Sequence, residues 1–358
     1  MKKIFSNFDW PLLIATLVIS IFGSVMVASV ASSFLTQHLT HLFLALIFFF
    51  IFSQLDYRVY IKISPLLFGL SLIFLLLPLV FGEITRGTLR WVQIGSLTIQ
   101  PSELVKPFLI LFFSYFFCSP KVKGKKMVIG FLFLLIPVFL IFSQPDFGST
   151  LVMIFSWVGI VLAAGITWHF LLLGGILFLF LPPLVWRFLK NYQRLRILSF
   201  LNPLNDPLGT GYNLIQAKIA VGSGQFFGKG LGKGTQSHLK FLPERHTDFI
   251  FASLAEELGF LGAVFLILAF GFLLWRILAI SQKSKDNFGF LFCVGCFGLL
   301  FSQIFINIAI NLGLLPVTGI PLPLVSYGGS SVLATMICLG IVQNIAKQKG
   351  REKIIEIR

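Results

Sequence analysis

Charged residues are scarce in this chain, and acidic residues are the scarcest of all. Only 11% of its 358 residues are charged, and 13 of them are Asp or Glu. A soluble domain carries roughly a quarter charged residues, so the composition excludes an ordinary soluble protein. The chain is instead 57% hydrophobic and contains 43 Phe. Apolar runs of about 20 residues, the length that crosses a bilayer, recur along nearly the whole sequence.

Signatures of several other protein classes are missing. The apolar runs do not alternate with polar residues, which argues against a membrane β-barrel and favours helices. Cys293 and Cys296 form a CxxC without a second pair or a histidine nearby, so packing is favoured over a metal site. The glycine-rich stretch 222–235 lacks the spacing of a phosphate-binding loop, and a kinked surface loop is expected there.

These patterns predict an all-α, polytopic integral membrane protein that forms one domain over residues 1–358. We expect about ten spans, near residues 11–33, 38–53, 63–82, 101–118, 127–143, 149–165, 168–190, 249–275, 288–311 and 327–346. A long loop, residues 191–247, separates the seventh span from the eighth, and a basic tail follows at 347–358.

The Lys and Arg residues of the short loops predict the orientation. They gather on the side of the two tails, whereas the short loops of the opposite side hold only Arg86 and Arg90. Because cytoplasmic loops carry the excess of positive charge, both termini are expected in the cytoplasm. Much of the net charge of +15 reflects this topology, so it gives no argument for nucleic-acid binding.

The long loop breaks the pattern, since it is basic although it would lie outside. Loops of this length translocate regardless of their charge, so the topology survives. Two explanations stay open for the excess of positive charge. The segment around residues 186–201 has the mixed basic and apolar character of a helix that lies on the membrane surface. Alternatively, the loop forms a site for an anionic ligand.

The scarce acidic residues concentrate in a few places, above all in FLPERHTDFIFASLAEELG at 241–259. Asp248 opens the predicted eighth helix, where an Asp commonly caps backbone N–H groups, and this explanation stays open beside a catalytic one. Glu256 lies about 12 Å deeper along that helix and is expected to pair within the bundle. Glu103 and Lys106 are three residues apart and therefore on one helix face. A charged pair inside a span indicates a functional site.

These residues lie in stretches of sequence that resemble those of a known protein family. LPERHTDFIFASLAEELGFLG closely resembles the signature of the SEDS family (shape, elongation, division and sporulation) of bacterial peptidoglycan glycosyltransferases. Four further blocks agree with it: RWVQIGSLTIQPSELVK (90–106), QPDFGSTLV (144–152), GYNLIQAKIAVGSGQFFGKGLGKGTQ (211–236) and GLLPVTGIPLPLVSYGGSS (313–331). The resemblance runs from the first span to the last. PERHTDFIF and PVTGIPLP are more similar to the elongation member than to the division member.

The resemblance implies a ten-helix enzyme of the bacterial cytoplasmic (inner) membrane that polymerises lipid II into glycan strands on the outer face. It also implies a class B penicillin-binding protein as partner. The essential Asp of the family falls on Asp248, its functionally important Trp on Trp91, and the Glu and Lys of its PSE–K block on Glu103 and Lys106.

The expected chemistry assigns roles to these positions. A sugar hydroxyl must attack an anomeric carbon and displace a lipid pyrophosphate, so it needs a general base, for which Asp248 is the candidate. Arg90, Lys106 and the basic loop could stabilise the leaving pyrophosphate. Trp91 could stack on a sugar, although a Trp at the interface is commonly a membrane anchor.

The neighbours of Asp248 are further candidates. Arg245 and His246 are expected to contact substrate. His246 ranks below Asp248 as the base, because the adjacent Arg245 disfavours its protonated form. No organic cofactor is expected, and the need for a divalent cation stays open.

Other functions remain alternatives. A lipid II flippase would line a path through both leaflets with polar residues, whereas the candidate residues cluster in the outer half. A scaffold for a wall-synthesis complex would not need buried charge. A division or sporulation role within the same family also stays open.

Overall fold

The computed structural model describes residues 8–81, 83–85, 88–94, 97–119, 124–166, 175, 186–187, 189, 191–203, 206–207, 209 and 211–348. Most of the predicted seventh span and most of the predicted basic tail lie outside these residues.

The described chain is mainly helical. Its first half contains α1 (Trp10–Val30), a 3₁₀ turn (Ser32–Phe34), α2 (Leu35–Gln54), α3 (Tyr57–Phe81), β1 (Glu83–Thr85), β2 (Thr88–Ile94), β3 (Leu97–Ile99), α4 (Pro101–Leu104), α5 (Lys106–Phe117), α6 (Gly124–Ser143) and α7 (Phe147–Ala163). Its second half contains α8 (Asn191–Leu201), α9 (Tyr212–Ser223), α10 (Thr235–His238), α11 (Ile250–Gln282), α12 (Asn287–Asn311) and α13 (Gly329–Lys347).

Seven of the helical segments in the described ranges are long and apolar enough to cross a membrane. They are α1, the 3₁₀ turn together with α2, α3, α6, α11, α12 and α13, and the apolar α7 is shorter. The helices α12 and α13 form the interior, where α12 packs against α7 and α13 packs against α2. Large apolar side chains such as Phe139 and Leu268 are exposed on the outer helices, as expected where lipid replaces water. The prediction of a multi-pass helical membrane protein is confirmed.

The prediction of one continuous span at 101–118 is wrong in detail. Two helices, α4 and α5, meet at Val105. Pro107 lacks the N–H that would bond to the carbonyl of Glu103, so the regular helix is interrupted there.

The connection before α4 is folded rather than irregular. It forms an antiparallel sheet in the order β1–β2–β3, with Trp91 paired to Glu83 and Val92 paired to Ile99. Arg90 and Trp91 therefore belong to the central strand of this sheet.

The helix α11 is kinked at Gly259, which has a positive φ of 66°. The segment of residues 224–241, here called the glycine loop, fills the kink. Phe260 N of the helix donates a hydrogen bond to Gln225 O of the loop (2.9 Å). Lys229 N of the loop donates one to Glu256 O of the helix (3.0 Å). Glycine fits this position because residues with a side chain rarely adopt a positive φ.

Candidate functional site

Asp248 lies in the turn before α11, two residues ahead of the first helical residue, Ile250. The N-cap position belongs to Phe249, so the expectation that Asp248 opens the helix is wrong. A side chain of α12 caps the helix start instead: Asn311 Oδ1 accepts a hydrogen bond from Ala252 N at 2.9 Å. One N–H group at the start of α11 is therefore capped by Asn311 and not by Asp248.

The backbone around Asp248 is held from two sides. The side-chain amides of Asn307 and Asn311 both donate to the carbonyl oxygen of Asp248, each at 3.0 Å. On the other side, Ser326 Oγ donates to Thr247 O at 2.6 Å. These bonds fix the direction in which the Asp248 side chain leaves the backbone.

Gly319 lies next to the side chains of both Asp248 and Arg90. A Cβ atom at Gly319 would be 3.6 Å from Asp248 Oδ2 and 3.9 Å from Arg90 Nη1. The two charged groups are consequently separated by no more than the sum of these distances. The structure thus brings together two of the predicted site residues, which are far apart in the sequence.

Arg90 also reaches Asp146, in the turn between α6 and α7. Arg90 Nη1 lies 3.8 Å from Asp146 Oδ1, and Arg90 Nη2 donates to the carbonyl of Pro145. Asp146 in addition accepts hydrogen bonds from Gln100 Nε2 (2.9 Å) and Ser102 Oγ (2.8 Å). Burial opposes ionisation of this carboxyl, but the positive charges of Arg90 and Lys106 and its hydrogen bonds outweigh that effect. The pKa of Asp146 consequently lies below its usual value.

Glu103 and Lys106 form an ion pair whose two side chains are almost completely buried. Ser149 Oγ donates to Glu103 Oε1 at 3.2 Å, and Gln303 Nε2 lies 3.4 Å from Glu103 Oε2. Because Ser149 N also donates to Asp146, the ion pair and the Arg90–Asp146 pair belong to one polar network. The predicted pairing of Glu103 with Lys106 is confirmed.

The other three predicted residues lie away from this network. Trp91 follows Arg90 on β2, and alternation along a strand places it on the opposite face of the sheet. Arg245 Nε donates to Val30 O at the end of α1, at 2.9 Å. The ring of His246 stacks on Phe34, with 4.8 Å between the ring centroids and 8° between the planes.

A cleft beside Arg90 contains residues that the sequence did not single out. Its lining includes Gln193 and Arg196 of α8 together with Thr318. Among the residues that the structure describes, the buried atoms Arg90 Nε and Thr318 Oγ1 have no hydrogen-bond partner. Buried polar groups are normally satisfied, so these two atoms are available to bond water or a polar ligand. The signals in the sequence were the basic character of the 186–201 segment, for Arg196, and the 313–331 block, for Thr318.

The glutamates near the kink have a structural role. Glu256 pairs with Lys229 at 2.9 Å and accepts four hydrogen bonds from Thr235, Gln236 and Ser237. Its expected pairing is confirmed, although the partner belongs to the glycine loop. The neighbouring Glu257 accepts from Ser29 Oγ at 2.6 Å and lies 2.9 Å from His238 Nε2.

Metal binding has little support from side chains of the chain. Within the described ranges, no three His, Cys, Asp or Glu residues form a group that could hold a metal ion.

Known proteins resemble this chain over nearly its whole length. Peptidoglycan glycosyltransferase MrdB of Escherichia coli (strain K12) is 36% identical over 347 residues, which cover 95% of this chain and 93% of that protein. Stage V sporulation protein E of Bacillus subtilis (strain 168) is 36% identical over 357 residues, with 95% and 97% covered.

Solved structures share the fold. A chain from the study "Structural coordination of polymerization and crosslinking by a peptidoglycan synthase complex" has a TM-score of 0.82 and 34% identity, and the match covers 95% of this chain and 97% of that one. The rod shape determining protein RodA of Thermus thermophilus has a TM-score of 0.73 and 30% identity, with 96% and 98% covered. The profile of the FtsW, RodA and SpoVE family, described as "Cell cycle protein", matches residues 5–351. The chain belongs to this family, the SEDS family.

Proposed function

We propose that this chain is a peptidoglycan glycosyltransferase that polymerises lipid II on the outer face of the bacterial cytoplasmic membrane during cell elongation. Relatives that cover nearly the whole chain carry the name peptidoglycan glycosyltransferase. The observation that carries the proposal is the position of the Asp248 carboxylate, which lies close to the Arg90 guanidinium, beside Gly319. A base and a cation this close together suit a step in which a hydroxyl loses its proton while a phosphate group gains negative charge.

Asp248 acts as the general base in this proposal. It takes the proton of a sugar hydroxyl while that oxygen bonds to the anomeric carbon of a second lipid-linked disaccharide. The bond from this carbon to the pyrophosphate oxygen breaks in the same step, and undecaprenyl pyrophosphate leaves. A positioned base contributes about 10²–10⁴-fold to the rate of such a step. The hydrogen bonds that hold the backbone at Asp248 support this role, because they fix the position from which its side chain extends.

Arg90 and Arg196 stabilise the departing pyrophosphate. Both line the cleft, where Arg90 Nε and Thr318 Oγ1 lack partners among the described residues. Guanidinium groups match phosphate oxygens in geometry and charge. A divalent cation bound to the same phosphates is compatible with this arrangement.

Lys106 has an indirect role. The sequence suggested it as a cation for the pyrophosphate, but its buried amine already pairs with Glu103. We therefore assign Glu103 and Lys106 to holding Asp146, and through it Arg90, in position. Arg245, His246 and Trp91 remain candidates for contacts with the longer parts of the substrate or the nascent glycan strand, away from the reacting atoms.

The wider arrangement follows from the same proposal. The chain forms one membrane domain of ten spans, with both termini in the cytoplasm and residues 191–247 outside. The described residues hold seven candidate spans and the shorter apolar helix α7, and the full count of ten rests on the apolar runs of the sequence. The similarity to a chain of a peptidoglycan synthase complex supports a class B penicillin-binding protein as the partner that crosslinks the strands.

The test is an assay of glycan strands made from lipid II by the purified chain, with and without a class B penicillin-binding protein. We expect polymer and released undecaprenyl pyrophosphate when the partner is present. Proteoliposomes that transport lipid II but form no polymer, with both proteins folded, would support the flippase alternative and overturn the proposal.

A further inference from the structure

An apolar patch on the glycine loop is exposed and has no role in the proposed chemistry. Its members are large hydrophobic side chains that stand out from the protein: Phe226, Phe227, Leu231, Leu239 and Phe241. Phe227 is 77% exposed and Leu239 is 63% exposed. The rings of Phe226 and Phe227 also contact each other, with 5.0 Å between their centroids. Several large apolar side chains exposed on one loop indicate a surface that contacts an apolar partner.

The patch lies at the level of the membrane boundary. From Phe260 to the end of α11 the helix is about 34 Å long at 1.5 Å per residue. The hydrocarbon core of a bilayer is about 30 Å thick, so the kink at Gly259 falls close to its edge. The glycine loop is bonded to α11 at this level, because Phe260 N and Leu261 N donate to the carbonyls of Gln225 (2.9 Å) and Phe226 (3.3 Å).

The patch also continues the exposed apolar surface of α11. The ring of Phe226 stacks on Phe260, with 5.7 Å between centroids. Below Phe260, the exposed side chains Leu261, Phe265, Leu268 and Phe272 follow along the helix. One apolar surface therefore runs from the spanning part of α11 onto the glycine loop.

The charge of the glycine loop fits an anionic surface. The loop contains Lys229, Lys233 and Lys240 and no acidic residue. Lys229 is paired with Glu256, whereas Lys233 and Lys240 are exposed. Aromatic rings beside lysines are typical of segments that lie in the headgroup region of a membrane.

Hydrogen bonds to two glutamates of α11 hold the glycine loop in place. Five donor atoms of Lys229, Thr235, Gln236 and Ser237 converge on the buried carboxylate of Glu256. Gly232 N and His238 lie within hydrogen-bond reach of Glu257. The exposed rings are thus fixed on the outside of a braced loop.

We propose that the patch of the glycine loop lies in the headgroup region of the leaflet on the side of Asp248 and docks on anionic phospholipid. The proposal rests on the membrane placement of α11 and not on the proposed enzymatic activity. A transmembrane helix of a partner protein is the competing occupant. The lysines and the continuity with the exposed apolar surface of α11 favour the lipid.

The test places spin labels on the patch in nanodiscs that contain this chain alone. Labels are attached in turn at Phe227→Cys and Leu239→Cys, in a background with Cys118→Ser, because the three other cysteines are buried. The exposed Lys285→Cys, in the turn between α11 and α12, is the matched control. Accessibility to oxygen and to a water-soluble nickel chelate is measured in phosphatidylglycerol and in phosphatidylcholine.

We expect both patch labels to be more accessible to oxygen and several-fold less accessible to nickel than the control, most clearly in phosphatidylglycerol. Nickel accessibility equal to that of the control at both positions would show that the patch is exposed to water in the chain alone. That result would favour a protein as its partner and would overturn the proposal. Equal shielding in the two lipids would overturn its anionic part. The activity of the chain enters none of these measurements, so they stand apart from the test of the proposed function.

Discussion

At Asp248, two tasks that an acidic residue can perform near a helix start are divided between different side chains. Asn311 caps Ala252 N, and Asn307 and Asn311 together hold the carbonyl of Asp248. The carboxylate faces Gly319 and Arg90. This division explains why an Asp beside a helix start need not be a cap, which the sequence alone left open.

The buried pair of Glu103 and Lys106 gives a prediction at the same scale. Lys106→Met leaves the Glu103 carboxylate buried without its partner, which typically costs about 3–5 kcal/mol. The double variant Glu103→Gln/Lys106→Met removes both charges and should lose less. We expect the single variant to unfold at a lower temperature than the double variant in detergent, and to lose more polymerisation activity.

The unfolding temperatures of the single variant, the double variant and the wild-type chain test this prediction. A single variant that is as stable as the wild type, or more stable than the double variant, would contradict a structural need for the pair.

The sequence predicts contacts between residues that are only a few positions apart in the chain. The three-residue spacing of Glu103 and Lys106 predicts their pairing on one helix face. The contact of Arg90 with Asp146 joins a strand to a turn two helices later, and no local pattern encodes it. Arg196 and Thr318 likewise become site residues only through the packing of α8 beside the segment that follows α12.

At the scale of elements, the junction between α11 and the glycine loop carries the most specific geometry. Gly259 has a positive φ, and a Cβ atom there would lie 2.7 Å from the carbonyl oxygen of Phe226. Such a distance is shorter than real Cβ contacts, so the loop would have to move. Hydrophobic periodicity predicted the helix, but it carries no information on a kink that a distant loop fills.

Gly259→Ala is therefore expected to be destabilising, and Gly271→Ala on the same helix is its matched control. A Cβ atom at Gly271 meets nothing within 4 Å. Alanine is favoured over glycine inside a helix by about 1 kcal/mol, so this control should be neutral or slightly stabilising.

The measurement is the unfolding temperature of both variants in detergent, together with protease cleavage within residues 224–241. We expect a lower unfolding temperature and faster cleavage for Gly259→Ala alone. Equal behaviour of the two variants would show that the kink does not depend on glycine.

At the scale of the whole molecule, composition and hydropathy were sufficient for the class of fold. Apolar length predicted most spans, because each must cross the same hydrocarbon thickness. The small sheet of β1 to β3 and the split between α4 and α5 were missed. Short strands and a proline-broken turn give weak signals next to long apolar runs.

The predicted topology has its own test. Reporter fusions after Asp206 and after Lys285 should report opposite compartments, since α11 crosses the membrane between them. A reporter that is active only outside the cytoplasm should be active when fused after Asp206 and inactive when fused after Lys285. A reporter that is active only in the cytoplasm should give the reverse result. The same compartment for both fusions would contradict the proposed number of spans.

The central claim is that the Asp248 carboxylate is the general base of a glycosyl transfer. The most direct measurement compares Asp248→Asn with the wild-type chain for polymerisation of lipid II, each in complex with its class B penicillin-binding protein. Asn keeps the size of the side chain but cannot accept the proton, so the rate should fall about 10²–10⁴-fold. The unfolding temperature and the binding of lipid II should stay close to those of the wild type. Polymerisation by Asp248→Asn at nearly the wild-type rate would contradict the account.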